Sequence, residues 1–160
     1  MASLHHHTIK KIINNLIKDY SQLDKIKTIK LNDPDSKGVI EYEPDYIIKR
    51  NISKHSYYFL VFEVIDGQSD IKTMADIARI IGKPEIRKAI FISCNKKKGE
   101  ETDRIISALV GSYKSRFKKK RKDIIDISSR QILKSDTYEE VEKVILDELK
   151  SFLPKIKNNQ

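Results

Sequence analysis

Apolar positions along the chain repeat at two periods, and the switch between them predicts the order of elements. Ile9, Ile12, Ile13, Leu16, Ile17, Tyr20 and Leu23 fall at helical spacing, which predicts an amphipathic helix from about Thr8 to Lys30. The polar stretch from Asn32 to Gly38, which holds Asp33-Pro34-Asp35, is turn chemistry and ends it. Three strand-like runs follow: Val39 to Tyr42, Tyr46 to Lys49 just after Pro44-Asp45, and Tyr57 to Ile65. The last is long, β-branched and aromatic, as a central strand buried on both faces is. Asn51 to Ser56 is polar and suits a hairpin connection.

Further on, Ser69 or Asp70 can cap a helix whose apolar stripe is Met74, Ile77, Ala78 and Ile81, stopped by Gly82 and Pro84. Ala89 to Ser93 reads as a short strand. Glu100, Glu101 and Asp103 suit the first turn of a long helix, where carboxylates meet the positive dipole end. That helix turns Ile106, Leu109, Val110, Tyr113 and Phe117 inward. Asp123 to Ile127 reads as another strand. Thr137 with Glu140 is a capping box ahead of a last helix carrying Val141, Val144, Ile145, Leu149 and Phe152. The expected fold class is α/β: a mixed sheet of about five strands flanked by helices, in the order αβββαβαβα.

At 160 residues the chain reads as one domain, 1–160, large enough to bury a core without disulfides. Residues 1–7, which include His5, His6 and His7, are expected to be a tag remnant, a native tract or a disordered start, and 155–160 a disordered tail. The lone Cys94, without metal-site spacing, fits a small buried residue near a strand end. It suggests a reducing setting, so the expected location is cytoplasmic or intracellular. No apolar run approaches the length of a membrane span, so no membrane partner is expected.

Charge sharpens the picture. The formal net charge is +9, from 32 Lys and Arg against 23 Asp and Glu. Between Arg87 and Lys122 there are thirteen basic and three acidic residues, which leaves about −1 for everything else. So local an excess is the footprint of a polyanion, and DNA is the expected partner. Lys96, Lys97, Lys98, Lys114, Arg116, Lys118, Lys119, Lys120, Arg121 and Lys122 are its candidate contacts. A lysine-rich solvated surface is the plainer reading of the same run. Other chemistries lack their motifs: there is no GxGxxG or GxxxxGK[ST] loop and no GxSxG. His55 lies in a polar loop and reads as a surface residue. Tyr57, Tyr58 and Phe59 read either as a base-stacking platform or as core and rim.

The candidate chemistry sits between Gly38 and Gln68. If the flanking runs are strands, Asp45 and Glu63 stand at the ends of neighbouring strands and can share a divalent metal, which is the chemistry of phosphodiester hydrolysis. A carboxylate such as Glu63 inside an apolar run rarely goes without a partner; Lys49 or Lys72 could also pair with it structurally.

Pro44-Asp45 opening the second strand run, Glu63 in the third, and the element order from Thr8 to Ser93 together resemble the PD-(D/E)XK nuclease superfamily, which includes restriction endonucleases and Holliday-junction resolvases. The resemblance implies a restriction-endonuclease-like fold, in which Asp45 and Glu63 bind Mg²⁺ (Mn²⁺ substituting) and the backbone carbonyl of Val64 adds a ligand. It implies a DNA endonuclease, acting in many relatives as a homodimer. The family expects Lys two residues after the strand carboxylate, where this chain has Ile65. Lys72, Lys49 and Gln68, ranked in that order, are the groups that could stand in. The family's acidic residue on the first helix would be Asp19 or Asp24, or be replaced by Glu41 or Glu43. The alternatives are a catalytically degenerate nucleic-acid-binding protein of the same fold, and an assembly protein that uses its basic face.

Overall fold

The computed structural model describes residues 4–32, 38–65, 68–117, 125–133, 135–150 and 152–153, with the backbone alone for 4–5 and 113–117. Its elements are α1 (Leu4–Asp19), β1 (Leu23–Ile26), β2 (Ile29–Asn32), β3 (Val39–Tyr42), β4 (Tyr46–Ser53), β5 (Ser56–Val64), α2 (Asp70–Ile81), β6 (Ile86–Ser93), α3 (Lys96–Phe117), β7 (Asp126–Gln131) and α4 (Tyr138–Leu149). Five strands form one mixed sheet in the order β1-β4-β5-β6-β7. β1, β4 and β5 are antiparallel neighbours, while β5, β6 and β7 run parallel through the crossover helices α2 and α3.

Helices cover both faces of the sheet. Ile9, Ile12, Ile13 and Leu16 of α1 and Val141, Ile145 and Leu149 of α4 pack on Leu60, Phe62, Ile90 and Ile92. On the other face Ile77 and Ile80 of α2 and Ile106 of α3 pack on Ile47, Val61, Ala89 and Phe91. Side chains alternate across a strand, so β5 feeds both cores and both of its faces are apolar.

The N-terminal half departs from the expected order. α1 ends at Asp19, and residues 23–30, expected within that helix, fall instead in β1, β2 and the link between them. The spacing of Leu23, Ile26 and Ile29 by three imitates a helix stripe, whereas the buried–exposed alternation of β2 has the period of a strand. β3, expected in the main meander, pairs instead with β2 in a separate hairpin. Ile29 stands opposite Tyr42 and Asn32 opposite Val39, and the hairpin packs Ile29, Leu31 and Tyr42 against the α2 side. Leu4 to His7 are helical, and Tyr46 donates its hydroxyl to the His6 carbonyl at 2.8 Å. The 155–160 tail lies outside the described residues.

Smaller shifts follow from local bonds. Asn95 accepts from the Lys98 amide at 2.8 Å and starts α3 at Lys96, so Glu100 and Glu101 fall beyond its first turn. The α2 face turned inward is Thr73, Asp76, Ile77 and Ile80, one position away from the expected stripe, and leaves Met74 exposed. β7 spans Asp126–Gln131 rather than 123–127; residues 123 and 124 are outside the described set. Tyr57 and Tyr58 are half-buried under Lys49 and Arg87, and Phe59 is core, which is the core-and-rim reading of that trio. The Thr137–Glu140 capping box forms as its sequence predicts.

A buried ion cluster ties α4 to the parallel half of the sheet. Lys88 of β6 bonds Asp126 and, at 2.9 Å, Glu148, which also accepts from Arg130 and Ser128 at 2.7 Å each. Burial alone would raise Glu148, but the bonds from Arg130, Lys88 and Ser128 outweigh it and hold its carboxyl down at about 2.

Candidate functional site

Strand register brings the two motif carboxylates together. Tyr46 pairs with Phe62, so Asp45, just before β4, stands opposite Glu63 on the same face of the sheet. The Asp45 amide donates to Glu63 Oε1 at 3.2 Å, and the Val64 amide donates to Asp45 Oδ2 at 2.7 Å. Tyr42, carried in by the hairpin, donates its hydroxyl to Glu63 Oε2 at 3.0 Å.

A third carboxylate, Asp76, enters from α2. It is 3% exposed and Glu63 is 8% exposed. Burial first, and then the neighbouring Asp76, push the Glu63 carboxyl up to about 8. Burial also raises Asp76, against the pull of Glu63, Lys72 and Arg79. Tyr42 is held far above its ordinary range by burial and by Glu63, so it remains a donor. With both carboxyls ionised, Asp76 Oδ2 has no hydrogen-bond partner among the described residues; a proton on Glu63 supplies one.

These groups line one cavity of about 370 Å³, bounded by Glu41, Tyr42, Glu43, Asp45, Glu63, Val64, Gln68, Lys72, Asp76 and Arg79. Five carboxyl groups face two cations there, so the cavity attracts positive charge. Among the described residues no three acidic, His or Cys side chains already converge as a formed metal site, and one oxygen each of Asp45 and Glu63 is bonded to a backbone amide.

The lysine stand-ins separate clearly. Lys72, in the first turn of α2, lines the cavity and acts on Asp76. Gln68 lines it too, but its amide donates to Thr73 Oγ1 at 2.6 Å. Lys49 does not line it: its ammonium lies 4.6 Å from the centre of the Tyr57 ring, four residues along β4, or about 13 Å of strand, from Asp45. Ile65 is fully buried in the α2-side core, and its amide bonds the Ile92 carbonyl at 2.9 Å. Val64 lines the cavity, with its amide on Asp45.

Of the acids weighed for the first-helix role, Glu41 and Glu43 line the cavity. Asp19 ends α1, which packs on the opposite face of the sheet, and Asp24 accepts from Asn51 at 2.7 Å. Tyr42, Asp76 and Arg79 are absent from the residues expected at the site. The signal for Asp76 is a carboxylate between Thr73 and Ile80 at helical spacing, an acid in an otherwise buried stripe.

The basic residues divide as well. Lys96 and Lys97 are exposed at the start of α3. Lys98 is instead a tie between helices: its ammonium pairs with Asp70 at 3.1 Å and Glu101 at 3.8 Å and is largely buried, so it is not free for phosphate. The side chains of Lys114 and Arg116, and all of Lys118, Lys119, Lys120, Arg121 and Lys122, lie outside the described residues. No described helix is long and apolar enough to cross a membrane. Protein-family models, curated proteins and solved structures yield no match to this chain.

Proposed function

We propose that the chain is a divalent-metal-dependent endonuclease acting on DNA, with a restriction-endonuclease-like arrangement of its central elements. The observation that carries this reading is the pairing of Asp45 with Glu63 across adjacent strands, in a cavity with excess negative charge and Lys72 on its rim. A phosphodiester cannot approach so acidic a cluster without a counter-cation, and two hard oxygen donors on one sheet face suit Mg²⁺ or Mn²⁺. When bound, such an ion supplies Lewis-acid polarisation of a phosphoryl oxygen and a more acidic water. Asp45 and Glu63 hold it, and the sheet fixes their separation. Lys72 stabilises the charge that develops on the phosphoryl group, the task that Ile65 cannot perform. Lys96 and Lys97, with the basic residues between Lys114 and Lys122, bind flanking phosphates.

The test is cleavage of supercoiled, linear, single-stranded and branched DNA with Mg²⁺ or Mn²⁺, and with EDTA as control. Nicking that needs the metal and is lost in Asp45→Asn supports the reading. The second reading, a nucleic-acid-binding protein without catalysis, draws on the burial of Ile65 where a cation is expected. DNA binding with no cleavage of any substrate favours it.

A further inference from the structure

Asp76 is a buried acidic side chain at the site with one oxygen left without a donor among the described residues. It is 3% exposed and lines the same cavity as Asp45 and Glu63. Its Oδ2 has no hydrogen-bond partner among the described residues, and Arg79 reaches only Oδ1, at 3.6 Å, from a half-exposed side chain. A buried carboxylate oxygen normally finds a donor, because desolvation is otherwise uncompensated. α2 gains nothing from an acid there: Thr73, Ile77 and Ile80 complete its buried face. Close to a second carboxylate, such an oxygen is stabilised by a shared proton or by a cation beside it, and a cation releases the proton that Glu63 otherwise holds.

We infer that Asp76 is a third carboxylate of the divalent-cation site, presenting its free Oδ2 beside Asp45 and Glu63. This rests on the proposed nuclease reading and adds a ligand to it. The cation is of the small, hard class, Mg²⁺ or Mn²⁺. The three carboxyl groups do not converge on one point while Asp45 and Glu63 bond backbone amides. Mg²⁺ keeps several of its waters, so Asp76 acts on the ion directly or through one of them. The consequence is that the ion is held by three elements: the start of β4, the end of β5 and the middle of α2.

The experiment is Mn²⁺ binding to the full chain without nucleic acid, by titration calorimetry and by loss of the free-ion paramagnetic resonance signal. Wild type is compared with Asp45→Asn, Asp76→Asn and Glu139→Gln, the last an exposed carboxylate on α4 outside the cavity. Thermal unfolding in EDTA reports folding of each. The expected result is a loss of tenfold or more in Mn²⁺ affinity for Asp76→Asn, with Glu139→Gln within twofold of wild type. A smaller loss in Asp76→Asn, or an equal loss in Glu139→Gln, overturns the assignment of Asp76. It leaves the nuclease reading standing if Asp45→Asn has lost binding. No Mn²⁺ binding by wild type overturns both. If Asp76→Asn fails to fold, Asp76→Ser takes its place under the same criteria.

Discussion

Asp45 and Glu63 are held together through the backbone, against the repulsion of their charges: the Asp45 amide donates to Glu63, and Asp45 in turn accepts from the amide that follows Glu63. Because the partners are main-chain groups, this reciprocal clasp fixes where each carboxylate points. A one-residue slip of β4 against β5 would send Asp45 to the opposite face.

Asp45→Asn and Glu63→Gln should each lower metal-dependent cleavage by on the order of 10²–10³ while leaving the fold intact. Rates of plasmid nicking in Mn²⁺, beside far-ultraviolet dichroism, measure both. A variant that keeps its shape and its full rate would remove that residue from the chemistry.

Lys72→Ala should abolish cleavage with little change in DNA affinity, since a single rim cation contributes little to overall binding. Lys49→Ala should cut at close to the wild-type rate, because its ammonium is engaged with Tyr57. Single-turnover rates and anisotropy titrations in Ca²⁺ separate the two effects. The opposite ranking would move the catalytic charge from α2 to β4.

Metal-free stability should peak near pH 5. Glu148, held at about 2 against an ordinary 4.5, contributes fully above about pH 4.5 and loses that contribution as pH falls toward 2. After allowance for solvent screening its worth is on the order of 2 kcal/mol. Glu63 behaves oppositely. Its folded value near 8 means the folded chain holds the proton more tightly than the unfolded one, so stability drains away as pH rises from 4.5 through 8. Thermal midpoints in EDTA from about pH 3 to 9 trace both limbs. Glu63→Gln should flatten the alkaline limb alone, and a wild-type midpoint that keeps climbing to pH 8 would contradict this assignment.

Replacing Lys118, Lys119 and Lys120 together with Ala should weaken binding to all DNA sequences alike. It should also reduce the slope of log affinity against log salt by about 0.9 for each phosphate that is no longer neutralised. Unchanged binding would show that the run makes no phosphate contact.

The sheet and its flanking helices were legible because long apolar runs have few alternatives. Tyr57 to Ile65 could only be a central strand, and Glu63 within it announced a partner. The first strands were hidden because Leu23, Ile26 and Ile29 satisfy helical spacing while they sit in two different strands. Asp76 was hidden by a related ambiguity. With apolar residues at Met74, Ile77, Ala78 and Ile81, α2 offers two adjacent faces, and only packing against the sheet and the hairpin selects the one that buries Asp76. Lys98 shows that charge counting cannot tell a phosphate ligand from a strut between helices.

The β2–β3 hairpin sits between β1 and β4, which are already neighbours in the sheet. It is therefore an inserted cassette: the order of the main strands does not depend on it, although Ile29, Leu31 and Tyr42 root it in the α2-side core. The clasp of Asp45 and Glu63 belongs to the scaffold, while Tyr42 and Glu41 belong to the cassette. The inner wall of the cavity and its outer lip thus rest on different elements, and the exposed part of the lip, Glu41, is where a change of substrate can begin without touching the core.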